Sequence, residues 1–145
     1  MKKLIYSSLL ALLALGSFTS CKKDVCSKRQ TNPSTSTIDG KWSLVRLYGG
    51  IAGANETHSI GEIEWTFNTQ NNTLTVDNTA GNSTYYYLPS GTYNFQEIPG
   101  STQNYLVIDA NELGQFVISG NQLSIDENKK STGEGACGFY MVLER

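Results

Sequence analysis

The segment EIEWTFN, residues 62–68, carries the clearest structural signal in this 145-residue chain. Large apolar residues at Ile63, Trp65 and Phe67 alternate with polar ones. Successive side chains of a β-strand point to opposite faces of the sheet, so this alternation is typical of a strand with one buried face and one solvated face. The segment therefore predicts a half-buried β-strand whose apolar side faces a core.

The same alternation recurs along the chain from Lys41 to the C terminus, interrupted by turn residues about every eight to twelve positions. No segment after the N-terminal apolar run has the periodicity of a helix. The predicted strands, in chain order, are KWSLVRLY, EIEWTFN, TLTVD, TYYYL, TYNFQEI, NYLVID, QFVIS, QLSID and CGFYMVLER.

These segments predict an all-β domain of eight or nine antiparallel strands, joined mostly by short loops. Such a meander avoids exposed edges either by closing into a barrel or by folding into a sandwich. One inward face of large apolar residues favours an up-and-down barrel, and the sandwich is the alternative. Residues 49–59 and the polar segment 127–136 are expected to be loops.

The first twenty residues have the layout of a secretory signal peptide. Two lysines precede an apolar run at residues 4–15, and small or polar residues at 16–20 lead to Cys21. A membrane-spanning helix needs about 20 apolar residues, so this run is too short to span a bilayer. We expect residues 1–20 to be removed.

The cysteine that follows this segment predicts where the protein is located in the cell. Phe18-Thr19-Ser20-Cys21 resembles a loose form of the bacterial lipobox, in which the cysteine becomes acylated after cleavage. Two or more acyl chains give stable membrane anchoring. The resemblance implies lipidation of Cys21 and a lipid anchor in the outer membrane, facing either the periplasm or the cell surface. An ordinary secreted protein is the alternative.

Residues 21–37 follow as the lipidated cysteine and a polar tether, and residues 38–145 form the predicted barrel domain. With Cys21 acylated, Cys26 and Cys137 remain, in a compartment that permits disulfides. A bridge between them would join the tether to the last strand. Two unpaired thiols are the alternative, and a metal site is not expected because the ligand spacing is absent.

Two residues at the ends of the domain carry a family resemblance. Gly40-Lys41-Trp42 opens the first strand and Arg145 closes the last. This pairing resembles the calycin superfamily of lipocalins and fatty-acid-binding proteins, where an arginine packs over a tryptophan that plugs the closed end of the barrel. The segments GKWSLVRLYGG, WTFN, TLTVDN and GFYMVLER are similar to lipocalin-like domains of small bacterial lipoproteins. The resemblance covers residues 38–145 and implies that Trp42 and Arg145 close the barrel.

Charge and motifs argue against several function classes. Residues 38–145 carry five Lys or Arg against twelve Asp or Glu, a formal charge of −7. An acidic body without a basic stripe repels phosphate backbones, so we expect no nucleic-acid binding. His58, the only histidine, is expected to be a solvated loop residue rather than a catalytic one. Glu62 and Glu64 are expected to be outward charges. No enzymatic activity, cofactor or metal is predicted.

A run of tyrosines is the best binding candidate in the sequence. In a strand, Tyr85 and Tyr87 share a face, and Tyr93 and Phe95 on the next strand extend an aromatic patch by cross-strand pairing. Such patches suit apolar ligands, glycans or protein partners, although ordinary packing at the barrel rim is the alternative.

The sequence thus leaves two functions open. One is a membrane-anchored, non-enzymatic domain that binds a small apolar or amphipathic ligand. The other is a filled barrel that acts as an interaction or structural protein of the cell envelope, such as an assembly factor or inhibitor. A cavity of at least about 300 Å³ would separate them.

Overall fold

A computed structural model describes residues 37–80 and 88–145 of this chain. Within these ranges every regular element is a β-strand, as the sequence predicts. No helix in this part of the chain has the length and apolar character required to cross a membrane. The predicted signal peptide, the tether up to residue 36 and the tyrosine segment at 84–87 lie outside the described residues.

The described strands are all antiparallel to their neighbours. In chain order they are β1 (Gly40–Gly49), β2 (Ala54–Thr57), β3 (Ile63–Asn68), β4 (Thr73–Asn78), β5 (Gly91–Pro99), β6 (Asn104–Ile108), β7 (Asn111–Ser119), β8 (Gln122–Asp126), β9 (Lys129–Lys130), β10 (Gly133–Glu134) and β11 (Phe139–Glu144).

Eight of these strands form a closed barrel, which confirms the predicted fold. The order around the ring is β1, β3, β4, β5, β6, β7, β8 and β11, and pairing between β11 and β1 closes it. Because each strand in the ring has a neighbour on both sides, the ring has no free edge strand. The strand β2 is additional, and among the described strands it pairs only with β1.

Residues 63–68 form a strand with one buried face, as the alternation in residues 62–68 predicts. Ile63, Trp65 and Phe67 are each at most 2% exposed and belong to the core inside the ring. On the opposite face, Glu64 lies 2.8 Å from the ammonium of Lys41 across the β1–β3 ladder. The strand thus separates an apolar interior from a charged outer surface.

Two predicted loops contain short strands, so those predictions were wrong in part. Residues 49–59 include β2, which pairs with Arg46–Gly49 of β1. The strand β3 reaches only Gly40–Ser43, so the far half of β1 would otherwise lack a partner on this side. The segment 127–136 includes the two-residue strands β9 and β10, which pair with each other.

The meander gives the barrel two distinct ends. The Trp42 end contains the start of β1, the end of β11 and the β3–β4, β5–β6 and β7–β8 turns. The opposite end, which we call the distal end, contains the β1–β2 turn, the β4–β5 connection, the β6–β7 turn and the β8–β11 connection.

At the Trp42 end the interior is plugged. Trp42 is fully buried and its indole N–H donates to the carbonyl of Ile38 at 2.7 Å. The guanidinium of Arg145 lies 4.2 Å from the centre of the Trp42 ring, and it also donates to the carbonyl of Asp39. These contacts join the two ends of the domain over one aromatic ring.

Candidate functional site

A cavity of about 480 Å³ opens at the distal end of the barrel. Its lining comes from the strands β3, β5, β6, β7 and β11, the β4–β5 connection, the β6–β7 turn and the start of the β8–β11 connection. The lining residues are Trp65, Leu88, Tyr93, Ile108, Asp109, Asn111, Glu112, Leu113, Glu127 and Met141.

Apolar side chains form the inner part of this cavity. Trp65, Met141 and Ile108 are buried members of the core, and Leu88 and Leu113 pack against it. Such a surface provides the apolar contact area that small-molecule sites use for affinity.

A bulge on β7 brings two of the lining residues to the cavity together. Leu106 pairs with Gly114 and Val107 pairs with Glu112, so Leu113 has no partner on β6. The extra residue breaks the strict alternation of the strand, and both Glu112 and Leu113 line the cavity.

Carboxylates form the polar part of the lining, and each accepts hydrogen bonds from the surrounding loops. Asp109 accepts from the N–H of Asn94 at 2.9 Å, and Glu127 accepts from the N–H of Phe139 at 3.0 Å. Glu112 accepts from both the N–H and the hydroxyl of Ser131. These bonds hold three acidic groups in position around the cavity.

No lysine or arginine lines this cavity in the part of the chain that the structure describes. The ammonium of Lys130 is bound nearby on the protein itself, donating to the carbonyls of Glu112 at 2.7 Å and Leu113 at 2.9 Å. The lining therefore combines an apolar interior with net negative charge.

One buried donor in the lining has no acceptor. The indole nitrogen of Trp65 is buried and lacks a hydrogen-bond partner among the described residues. Buried polar groups in folded proteins are nearly always paired, so this unpaired N–H is unusual.

The predicted aromatic patch is divided by the structure. Tyr93 lines the cavity, and its hydroxyl donates to the carbonyl of Pro89 at 2.7 Å. Phe95 is buried in the core, where its ring meets Phe67 edge-on at 5.1 Å, and it does not line the cavity. The two other tyrosines of the patch, at positions 85 and 87, are outside the described residues.

The remaining lining residues were not predicted from the sequence. Trp65 is predicted to face inward, but nothing local distinguishes it from the plugging tryptophan at position 42. Leu113 and Glu112 belong to a segment whose bulge has no marker in the sequence besides Gly114. Only the spacing of polar and apolar residues near the β6–β7 turn could have signalled a polar site.

The single histidine corrects one expectation. The side chain of His58 is only 8% exposed, so the prediction of a solvated residue was wrong. Its Nε2 lies 3.8 Å from a carboxylate oxygen of Glu56, and its Nδ1 lies 3.7 Å from one of Glu62. The backbone N–H of His58 donates to the carbonyl of Val45 on β1 at 3.0 Å, directly after the last residue of β2.

The cysteines are placed only in part. Cys137 is exposed and has a positive φ of 69° in the connection before β11. Cys21 and Cys26 lie outside the described residues, so lipidation and the proposed disulfide stay predictions. In residues 37–80 and 88–145, no group of three His, Cys, Asp or Glu side chains could hold a metal ion.

A second cleft, of about 470 Å³, lies outside the barrel core between the β5–β6 turn and β7. Its lining includes Gly100–Asn104 and Gln115–Ile118, and it is mostly polar and open to solvent. The distal cavity is the stronger candidate because it combines an apolar interior with convergent polar groups.

Comparisons with protein-family models, curated proteins and solved structures find no match to this chain.

Proposed function

We propose that this protein is a lipid-anchored, lipocalin-like lipoprotein of the bacterial outer membrane, facing the periplasm or the cell surface. It is non-enzymatic and binds a small apolar or amphipathic molecule in the distal cavity. Acyl chains on Cys21 would hold the domain at the membrane. The barrel would then bind and release a ligand that has low solubility in water.

The distal cavity carries the binding part of this proposal. Its volume of about 480 Å³ lies within the range of small-molecule sites, about 300–1,000 Å³. The bulky side chains at the Trp42 end do not fill the barrel to its distal end. Desolvation of an apolar chain there would contribute about 25 cal/mol for each Å² of apolar surface buried.

The outer wall of the barrel supports a second candidate, an envelope interaction protein. Tyr48 and Tyr140 lie side by side across the β1–β11 ladder, with ring centres 5.0 Å apart. The guanidinium of Arg46 lies 4.8 Å from the Tyr48 ring. Tyrosine and arginine are enriched at protein interfaces. A barrel that binds no small molecule but captures an envelope protein through these residues would favour this candidate.

Photolabelling tests the ligand-binding proposal on the full-length protein in phosphatidylcholine nanodiscs. The probe is a dodecyl hydrocarbon that carries a diazirine in the middle of its chain. We expect saturable labelling that peptide mass spectrometry maps to cavity-lining residues.

Two tryptophan substitutions on the same strand provide the matched comparison. Leu113→Trp places a large ring in the cavity lining and should reduce labelling at least fivefold. Val117→Trp adds the same ring on the outer wall, where the residue is 49% exposed, and should leave labelling unchanged. Unsaturable labelling of the wild type, or an equal response of the two variants, would overturn the proposal.

A further inference from the structure

The distal end of the barrel has an uncharged corner where β1 meets β11. Residues 47–55 and 135–143 contain no Asp, Glu, Lys, Arg or His. The two segments are neighbours, because β1 pairs with β11 and the N–H of Gly50 donates to the carbonyl of Gly138 at 3.0 Å. Together they form one surface without charge, at the end of the barrel where the cavity opens.

The tip of this corner is apolar and exposed to solvent. Ile51, in the β1–β2 turn, is 91% exposed. Ala52 beside it is exposed, and so are Ala136 and Cys137 in the β8–β11 connection. We call these four residues the apolar rim. Because apolar surface in water is unfavourable, an exposed apolar patch indicates a site that contacts a protein or a membrane.

The wall behind the apolar rim has the side chains that favour a lipid interface. Tyr48 and Tyr140 lie together on the outer wall, with ring centres 5.0 Å apart. Arg46 is two residues farther from the turn, about 7 Å along the strand. Tyrosines are enriched at the level of lipid headgroups, and an arginine packs its stem on apolar surface while its guanidinium binds phosphate. An apolar tip followed by tyrosines and then a cation matches the environments of a bilayer in order.

The acidic groups of the distal end lie on the other side of the barrel. Asp109 follows β6 and Glu112 is on β7, and β6 is four places from β1 around the ring in either direction. A barrel that tilts its β1–β11 side onto a bilayer therefore keeps these carboxylates away from the lipid. This arrangement avoids the cost of desolvating them.

The predicted anchor allows the distal end to contact the membrane. Sixteen residues, 22–37, separate Cys21 from the barrel domain. They can span at most about 55 Å, whereas β1, with ten residues, is about 33 Å long. If the predicted bridge between Cys26 and Cys137 forms, only five residues separate the acylated cysteine from the apolar rim, a chain length of at most about 18 Å. Either case permits the contact.

We infer that the apolar rim inserts into the headgroup region of a phospholipid bilayer and so holds the distal end of the barrel against the membrane. An amphiphile could then pass between the lipid and the cavity without crossing bulk water. This inference rests on the proposed lipid anchor and adds the orientation in which the proposed ligand-binding domain meets the membrane.

Site-specific photocrosslinking to lipid tests this orientation. Benzoylphenylalanine replaces Ile51 in the full-length protein, which is reconstituted into phosphatidylcholine nanodiscs. The matched control carries the same group in place of Asn121, an exposed residue of the β7–β8 turn at the Trp42 end. Mass spectrometry should find at least fivefold more phosphatidylcholine adducts at position 51 than at position 121. Equal adducts at the two positions, or more at position 121, would overturn the inference.

A charge substitution tests whether the apolar character of the tip causes the contact. Benzoylphenylalanine in place of Ala136, on the other half of the apolar rim, reports lipid contact. Ile51→Asp should reduce its lipid adducts at least fivefold, because insertion would desolvate a carboxylate. Val117→Asp adds the same charge on β7, where the residue is 49% exposed, and should leave the adducts within twofold. An equal effect of the two substitutions would overturn the inference.

Failure of this inference is distinguishable from failure of the proposed function. If the dodecyl probe labels the cavity but position 51 forms no lipid adducts, ligand binding stands and the orientation is wrong. If position 51 contacts lipid but no probe labels the cavity, the orientation stands and ligand binding is wrong. In intact cells, adducts at position 51 with an envelope protein in place of lipid would overturn the orientation and favour the second candidate function.

Discussion

Two tryptophans on neighbouring strands have opposite hydrogen-bonding states. Trp42 donates to the carbonyl of Ile38 and is covered by Arg145. Trp65, its cross-strand partner, has a buried N–H without an acceptor. The indole N–H of Trp42 is therefore satisfied, and its ring is packed as the plug of the barrel. The second tryptophan has a buried donor with no hydrogen-bond partner among the described residues.

The contact between Arg145 and Trp42 leads to a stability prediction. Arg145→Ala removes a cation from the face of the indole and one hydrogen bond to Asp39, so the free energy of unfolding should fall by about 1 kcal/mol. Urea denaturation monitored by tryptophan fluorescence measures this change. Lys129→Ala, at an exposed surface position, should change it by less than about 0.5 kcal/mol. Equal stability of the two variants would contradict the role of Arg145.

Glu97 predicts a pH dependence of stability. Although the residue is exposed, partial burial of its carboxyl group raises its pKa above the ordinary value of 4.5. The folded state then binds more protons than the unfolded state, so stability falls as the pH rises through the window above 4.5. Glu97→Gln should therefore be more stable than wild type at pH 7, and the difference should disappear below pH 4.5. Urea midpoints across this pH range measure it.

Asp39 provides the control of opposite sign. The N–H and the hydroxyl of Thr69 donate to its carboxylate at 2.8 and 2.9 Å, and these bonds lower its pKa. Its contribution to stability is present above the ordinary aspartate pKa of 3.8 and is lost as the pH falls through the folded-state value. Asp39→Asn should thus lose stability at pH 7. The same pH slope in both variants would contradict these assignments.

At the scale of the element, bulges decide which side chains face the interior. In β1 the register shifts between Leu44 and Arg46, which leaves Val45 as the extra residue. Leu47 is therefore buried, while Arg46 is exposed on the outer wall. Strict alternation from Leu44 would have turned the guanidinium of Arg46 inward, at a high desolvation cost. The bulge on β7 likewise breaks the alternation of inward and outward side chains, so that both Glu112 and Leu113 line the cavity.

Gly114, directly after the β7 bulge, leads to a second stability prediction. Its φ is +145°, and an added Cβ would clash with the carbonyl oxygen of Asp126 on β8. Gly114→Ala must therefore separate β7 from β8, and we expect a loss of at least about 3 kcal/mol, measured by urea denaturation.

Gly120 in the β7–β8 turn is the matched control for this substitution. It also has a positive φ, of +60°, but a Cβ there would contact nothing within 4 Å. Gly120→Ala should cost only about 1 kcal/mol of backbone strain. A similar loss of stability for the two variants would show that the positive φ causes the destabilisation and that the close approach of β7 and β8 does not.

At the scale of the whole molecule, closure and incomplete filling are separate properties. The strand β11 pairs with both β8 and β1 and so closes the ring. The largest fully buried side chains include Trp42, Trp65 and Phe67. The first plugs one end, while the cavity remains at the other. A barrel can thus have every strand of its ring hydrogen-bonded on both sides and still contain interior volume for a ligand.

The predicted lipid anchor is tested on the protein in cells. A palmitate analogue should be incorporated into the wild type, and the protein should fractionate with membranes. Cys21→Ser should abolish incorporation and release the protein from the membrane fraction, whereas Cys26→Ser, only five residues later, should retain both. Equal labelling of the two variants would contradict acylation of Cys21.

The sequence by itself determined that the domain is all-β and favoured a barrel over a sandwich. Alternating apolar residues such as Ile63, Trp65 and Phe67 leave one face that must be buried, and eight such strands can bury it by closing on themselves. This conclusion depends on local spacing, which the sequence displays directly, whereas the role of Trp42 and Arg145 at the closed end was implied only by a family resemblance. The strand β2 was missed because ANET has no alternation, and its pairing depends on how far β3 extends.

Only the tertiary structure decided the cavity. Its lining comes from five strands and three connections, and the bulge that places Leu113 and Glu112 together depends on the register between β6 and β7. The lack of a hydrogen-bond acceptor for the Trp65 N–H among the described residues likewise depends on where the other strands lie. The cavity volume and the hydrogen-bond partners of buried groups depend on how segments that are distant in sequence pack together. No local sequence pattern encodes them.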